Sequence, residues 1–185
     1  MRIAVYSGSF DPLHIGHLAI MEYLTQKEEF DWVYLIVTPQ NPLKEAEKAR
    51  TGGRRFRAAR RAVRRHRGLR VKVDRIELRM APPHYTIRTL DALREREPGN
   101  EFTLVIGADN LERMRKWKAY SRILTEFGVL VYPREGIDSE SLKESLLAEN
   151  PAYKIRLIDA PMVDISSTQI REGLARGEDM SRWLM

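Results

Sequence analysis

Short apolar runs alternate with amphipathic stretches along most of the chain. Runs rich in β-branched and aromatic residues at 3–6, 32–37, 70–73, 102–106, 128–132 and 154–158 predict strands. Apolar residues at helical spacing predict helices over 16–26, 53–67, 86–97, 110–125 and 139–149, with a last helix starting near Ser167. The strand runs are nearly continuous in apolar character, as strands are when both faces of a sheet are covered. The alternation therefore predicts an α/β protein with a Rossmann-like, doubly wound parallel sheet. Such sheets bind ligands beyond the carboxyl ends of their strands, near the topological switch point. Four loops fall there: 7–17, 38–44, 107–109 and 164–168. The 51–53 turn and the 39–42 segment read as loops rather than linkers, so residues 1–185 are expected to form a single domain.

Composition narrows the picture only a little. A chain of 185 residues can bury roughly 70% of its unfolded surface without covalent staples. It has no cysteine, which excludes a disulfide framework and fits a reducing compartment. No apolar run approaches a membrane span and the first residues lack a signal-peptide core, so a cytoplasmic protein with no membrane partner is expected. The formal charge of +6 and pI near 9.7 favour anionic partners. Much of that excess lies between Arg54 and Arg70, where Phe56, Ala59, Ala62 and Val63 recur at helical spacing. The arginines there are expected to form the wet face of an amphipathic helix. No RNA-binding aromatic pattern accompanies them, which argues against nucleic acid as the partner. Nothing in the composition argues against an oligomer.

The chemistry is concentrated in two segments. The first, Gly8-Ser9-Phe10-Asp11-Pro12-Leu13-His14-Ile15-Gly16-His17, follows the first strand and leads into a helix. Strand, glycine-containing turn and helix start together bind phosphate, because unpaired N–H groups and the positive end of the helix dipole face the anion. His14 and His17, at i and i+3, add two N–H donors on one side of the turn. Zinc would need at least three protein ligands, and His66 and His84 are isolated in the sequence. The second segment is Ile165-Ser166-Ser167-Thr168-Gln169-Ile170-Arg171. Helix capping alone would account for the hydroxyls. Arg171, however, lies one turn after Ser167 on the same side, and a guanidinium beside hydroxyls and free N–H groups makes a triphosphate cradle.

These segments resemble the (T/H)xGH and ISSTxIR signatures of the nucleotidyltransferase superfamily. His14-Ile15-Gly16-His17 also matches class I aminoacyl-tRNA synthetases, but no KMSK-type loop or tRNA-binding domain accompanies it. Three further stretches are similar to bacterial nicotinate-mononucleotide adenylyltransferases: ELRMAPPHYTIRTL from Glu77, FTLVIGADNLERMRKW from Phe102, and TPQNPLK from Thr38. The chain departs from that family's pattern at Ser9, where threonine is usual, at Leu43, where histidine is commoner, and at 81–84, where Gly-Pro-Ser is usual. The resemblance implies an ATP site made by Gly8, Ser9, Phe10, His14, His17, Gly107, Asp109, Ile165, Ser166, Ser167, Thr168 and Arg171. His17, His14 and Arg171 would be catalytic, and Lys44, Tyr85, Thr86 and Trp117 would hold the mononucleotide.

Trp117 and Asp109 each have a plainer reading, as a packing residue and as a helix cap. The implied reaction moves the adenylyl group of ATP onto nicotinate mononucleotide, with Mg²⁺ arriving on ATP rather than in a protein-made metal site. The attacking phosphate oxygen is already an anion, which explains why no Ser-His-Asp arrangement is present. Two alternatives stand beside it: phosphopantetheine adenylyltransferase, which shares both phosphate signatures, and a nucleic-acid-binding protein with a vestigial nucleotide site.

Overall fold

A computed structural model describes residues 1–28, 30–39 and 51–185. Lys44 and Leu43 lie outside the described residues. Six parallel strands form one sheet: β1 (Arg2–Gly8), β2 (Trp32–Val37), β3 (Val71–Asp74), β4 (Glu101–Gly107), β5 (Val129–Tyr132) and β6 (Ile155–Leu157). Their order among the described residues is β3-β2-β1-β4-β5-β6. The chain winds outward from β1 in one direction and then from β4 in the other, so the switch point lies between β1 and β4. The register pairs Val5 with Tyr34 on one side and with Leu104 on the other.

The helices are α1 (Ile15–Gln26), α2 (Gly52–Arg65), α3 (Thr86–Arg96), α4 (Ala108–Glu112), α5 (Tyr120–Arg122), α6 (Ser139–Glu149) and α7 (Ser167–Ala175). Side chains alternate across a strand, so successive residues feed opposite faces of the sheet. Ile3, Val5, Ile36, Leu104 and Val129 pack with Ile87, Leu90 and Leu93 of α3. Ala4, Val33, Leu35, Val105 and Leu130 pack with Met21 and Leu24 of α1 and with Ala59 and Ala62 of α2. Both faces are therefore covered, as the continuous apolar runs predict.

Two expectations need correction. The helix predicted over 110–125 is broken. After α4 the chain makes a 3₁₀ turn at Met114–Lys116, becomes extended at Trp117 (ψ 141°) and left-handed at Ala119 (φ 52°). It resumes as α5 and a π turn over Ile123–Phe127. Leu111, Met114, Ile123 and Leu124 all enter the same core, so their spacing mimics one continuous helix although the chain turns between them. The second correction concerns α2. Most of its arginines are exposed, as the amphipathic pattern predicts, but Arg55 is only 3% exposed. It stands on the stripe of Ala59 and Ala62, one and two turns on, rather than on the wet face.

Candidate active site

The first loop is built by close packing. At Gly8 a β-carbon would meet the Phe10 ring at 3.1 Å. Phe10 adopts a left-handed φ of 45°, which turns its ring inward against Tyr6, 5.3 Å away, and against the edge of His17, 5.1 Å away. Phe10 thus contributes backbone to the loop surface while its side chain joins the core.

His14 caps α1 with an extended φ of −140°. Its Nδ1 accepts the N–H of Gly16 at 3.1 Å, and the Nδ1 of His17 accepts the N–H of His14 at 3.2 Å. Each ring is thereby fixed in one tautomer, with the proton on Nε2. The rings stack at 3.7 Å. Burial, with Arg134 nearby, lowers the His14 pKa to about 4. Burial, the His14 ring and Arg134 hold His17 well below the usual imidazole value. The pair is accordingly neutral at physiological pH and offers two Nε2–H donors without carrying charge.

Arg134 follows β5 and belongs to neither phosphate segment of the sequence. It stands 5.1 Å above the Tyr132 ring, with Nε 3.5 Å from Oδ1 of Asp109. Asp109 follows Gly107, where a β-carbon would collide with the Asp109 carboxylate and come within 3.1 Å of Arg134. Gly107 therefore makes room for this pair rather than presenting a group of its own. The signal that could have revealed Arg134 is its place, two residues past the carboxyl end of a strand next to the switch-point strand.

The start of α7 docks onto the first loop. Ser166 caps the helix, accepting from the Gln169 N–H at 3.2 Å. Ser167 Oγ donates to the Pro12 carbonyl at 2.9 Å, and Arg171 Nη1 donates to the Asp11 carbonyl at 2.7 Å. Nη2 of Arg171 donates to Thr168 Oγ1 at 3.2 Å. Ile165 is buried beneath, against Ile170 and Met180. A cleft of about 740 Å³ lies between these parts, lined among others by His14, His17, Asp109, Arg134, Ser166 and Ser167. It adjoins a smaller cavity reached by Ser9, Phe10, His17, Thr168 and Arg171.

On the other side of the Ser7–Ser9 backbone is a second pocket, of about 170 Å³. Tyr85, Thr86, Trp117, Lys116 and Thr38 contribute to its walls, and Ser7, Gly8 and Ser9 face both this pocket and the cavity reached by Arg171. No side chain caps α3, which starts at Thr86, so while the Arg88 N–H donates to the Tyr85 carbonyl at 2.9 Å, those of Thr86 and Ile87 are left for a ligand or water. Glu77, 3% exposed, accepts from Thr89 Oγ1 at 2.7 Å. Burial raises its pKa, against the hydroxyls of Thr89 and Thr38.

The fold thus places the predicted site residues that it describes, Gly107 excepted, around three adjoining cavities. A parallel sheet with a phosphate-type cleft at its switch point defines a nucleotide-binding α/β protein, and residues 5–173 match the cytidylyltransferase-like family. The chain is 36% identical to a "probable nicotinate-nucleotide adenylyltransferase" of Flavobacterium johnsoniae, over 97% of this chain and 90% of that protein. It is 37% identical to the protein of the same name from Porphyromonas gingivalis, over 100% of this chain and 89% of the relative. The chain belongs to the nicotinate-nucleotide adenylyltransferase family. Among solved structures, the nicotinic acid mononucleotide adenylyltransferase of Plasmodium falciparum complexed with NaAD has the same fold. Its TM-score is 0.76 at 19% identity, covering 99% of this chain and 90% of that one.

Proposed function

We propose that the protein transfers the adenylyl group of ATP to nicotinate mononucleotide, releasing pyrophosphate and forming the deamido dinucleotide precursor of NAD. The observation that carries this reading is the pair of neutral, tautomer-locked histidines beside Arg134, in a cleft adjoining a Trp117-walled pocket. ATP occupies the cleft, with its triphosphate along the starts of α1 and α7 and its ribose at Asp109. The mononucleotide ring stacks on Trp117, and its carboxylate takes the open N–H groups at the start of α3. Lys44 belongs to the same proposal.

A phosphate oxygen of the mononucleotide attacks the α-phosphorus of ATP. One P–O bond forms as the bond to the β-phosphate oxygen breaks, and the electron pair leaves on pyrophosphate. No proton has to be removed from the nucleophile. Catalysis therefore rests on alignment and on donors placed where charge develops. His17 Nε2–H donates to the phosphate in transfer, His14 helps to hold ATP, and Arg171 takes the β/γ end. Among the described residues no three His, Asp or Glu side chains converge as a metal site. Mg²⁺ would reach the site bound to the polyphosphate and offset phosphate charge there.

Turnover of ATP with a panel of mononucleotides and phosphopantetheine tests the reading. Pyrophosphate release with nicotinate mononucleotide is expected; release only with phosphopantetheine, or with none of them, would overturn it.

A further inference from the structure

One buried charged group plays no part in that mechanism. Arg55 is 3% exposed, on a helix whose other arginines face solvent. Its guanidinium reaches three separate segments. Nη1 donates to the Ser9 carbonyl at 2.6 Å and to the Thr38 carbonyl at 2.9 Å. Nη2 donates to the Pro39 carbonyl at 3.0 Å, and Nε donates to Thr51 Oγ1 at 3.1 Å. The planar fork of arginine can span these acceptors, whereas the single ammonium of lysine cannot.

The bond to Ser9 has a directional consequence. The carbonyl of Ser9 and the N–H of Phe10 belong to one planar trans peptide, so they point in opposite directions. Holding the carbonyl toward α2 turns the Phe10 N–H away from α2. Neither the Ser9 nor the Phe10 N–H donates to a protein acceptor among the described residues. Both residues line the cavity shared by His17 and Arg171. Phe10 is also left-handed, at φ 45°, a region that side chains other than glycine rarely occupy unless their surroundings hold them there. Thr38, gripped through its carbonyl, has its hydroxyl 3.0 Å from the hydroxyl of Ser7 at the root of the same loop.

We propose that Arg55 is a positioning residue for adenylyl transfer: it holds the Ser9–Phe10 peptide so that backbone N–H groups face the nucleotide phosphate. The inference rests on the adenylyl-transfer reading. Arg55 acts through the loop, so its loss is felt mainly where phosphate charge develops; of the ring pocket it touches only the Ser9 and Thr38 backbone, not Trp117 or the start of α3.

The test compares the wild-type protein with Arg55→Lys and Arg55→Ala. Thermal melting establishes the folded fraction, and kcat and the KM of each substrate are measured. Arg55→Lys, which keeps the charge, carries the test if Arg55→Ala does not fold. In folded variants kcat is expected to fall by about 10–100-fold, somewhat less than for a donor that touches the phosphate itself. Mononucleotide KM is expected to change much less than kcat, because Arg55 reaches the pocket wall only through the Ser9 and Thr38 carbonyls and leaves Trp117 and the start of α3 in place. Methylguanidinium added to Arg55→Ala is expected to restore part of kcat by refilling the vacated site. Unchanged kcat in a folded variant would overturn the proposal. So would an equal loss of mononucleotide affinity, or a loss of activity that tracks the folded fraction. A wild-type protein that turns over no mononucleotide would instead overturn the functional reading itself.

Discussion

The cleft with its adjoining smaller cavity and the Trp117 pocket, which meet at the Ser7–Ser9 backbone, solve different problems with different materials. In the cleft, donors are fixed by bonds to the main chain. The histidines accept backbone N–H groups through Nδ1, Ser167 and Arg171 are tied to the Pro12 and Asp11 carbonyls, and Arg134 rests on Tyr132. In the pocket the walls include the rings of Tyr85 and Trp117, aliphatic residues of β4, and a helix start without a capping side chain. A cleft of pre-fixed donors can act on charge that appears during a reaction, because nothing has to reorganise when it appears. A ring-walled pocket mainly grips what is already there. Changes in the cleft should therefore alter the transfer step and ATP, and changes in the pocket should alter mononucleotide choice.

The largest effect is expected at His17. His17→Ala should lower kcat by roughly 10²–10³-fold, the size of losing one preorganised donor, with smaller changes in either KM. Steady-state kinetics on a folded variant checks this; near-wild-type kcat would remove His17 from the transfer step.

Arg171→Ala comes next. A charge-assisted contact to the triphosphate suggests a loss of about 1.5–3 kcal/mol in ATP binding, with little change for the mononucleotide. Calorimetry with each substrate separates the two cavities here, since equal losses would mean that Arg171 serves both.

On the pocket side, Trp117→Ala should weaken the acid and amide mononucleotides alike, because stacking does not read the ring substituent. Discrimination falls to the open N–H groups at the start of α3. They suit a carboxylate, whereas an amide presents its NH₂ to donors at a cost on the order of 1–3 kcal/mol. The wild-type kcat/KM should accordingly favour the acid. A ratio near one would show that the Ala81–His84 turn, which departs from the family's usual Gly-Pro-Ser, has reshaped this end.

Much of this architecture is legible in the residue pattern alone. The strands are readable because both sheet faces are covered, the first candidate phosphate segment because strand, glycine and helix start follow one another, and the second because Arg171 falls one turn after the capping hydroxyls. What the pattern hides has physical reasons. The break at Trp117–Ala119 is masked because the apolar residues before and after it enter one core. It is that break which leaves Trp117 on the pocket wall, outside any helix. Arg134 is masked because one arginine after a strand carries no pattern in a basic chain. Arg55 is masked because it sits inside an arginine run, although its spacing to Ala59 and Ala62 already puts it on the buried stripe.

The smallest effect expected is on acid stability, and it tests whether the cleft is electrostatically distinct. His14 has a pKa of about 4 in the folded protein, against about 6.5 in an unfolded chain. Between those values the unfolded state binds the proton and the folded state does not. The contribution of His14 to stability is therefore complete above about pH 6.5 and is lost progressively as pH falls toward about 4. His17, also held low by burial, acts in the same direction. Burial is the main cause at both rings and Arg134 a lesser one. Arg134→Met should thus raise both imidazole values part of the way and shrink the stability lost over that interval. Trp117→Ala, across the Ser7–Ser9 backbone and removing no charge, should leave the pH dependence as it is in the wild type. Urea melts from pH 7 to pH 4, taken as difference curves against the wild type so that carboxylates other than Asp109, the partner of Arg134, cancel, measure this, with Asp109→Asn as the background that removes that carboxylate too. Parallel curves for Arg134→Met and wild type would mean that Arg134 does not act on the histidines, and the cleft would lose its electrostatic distinction from the pocket.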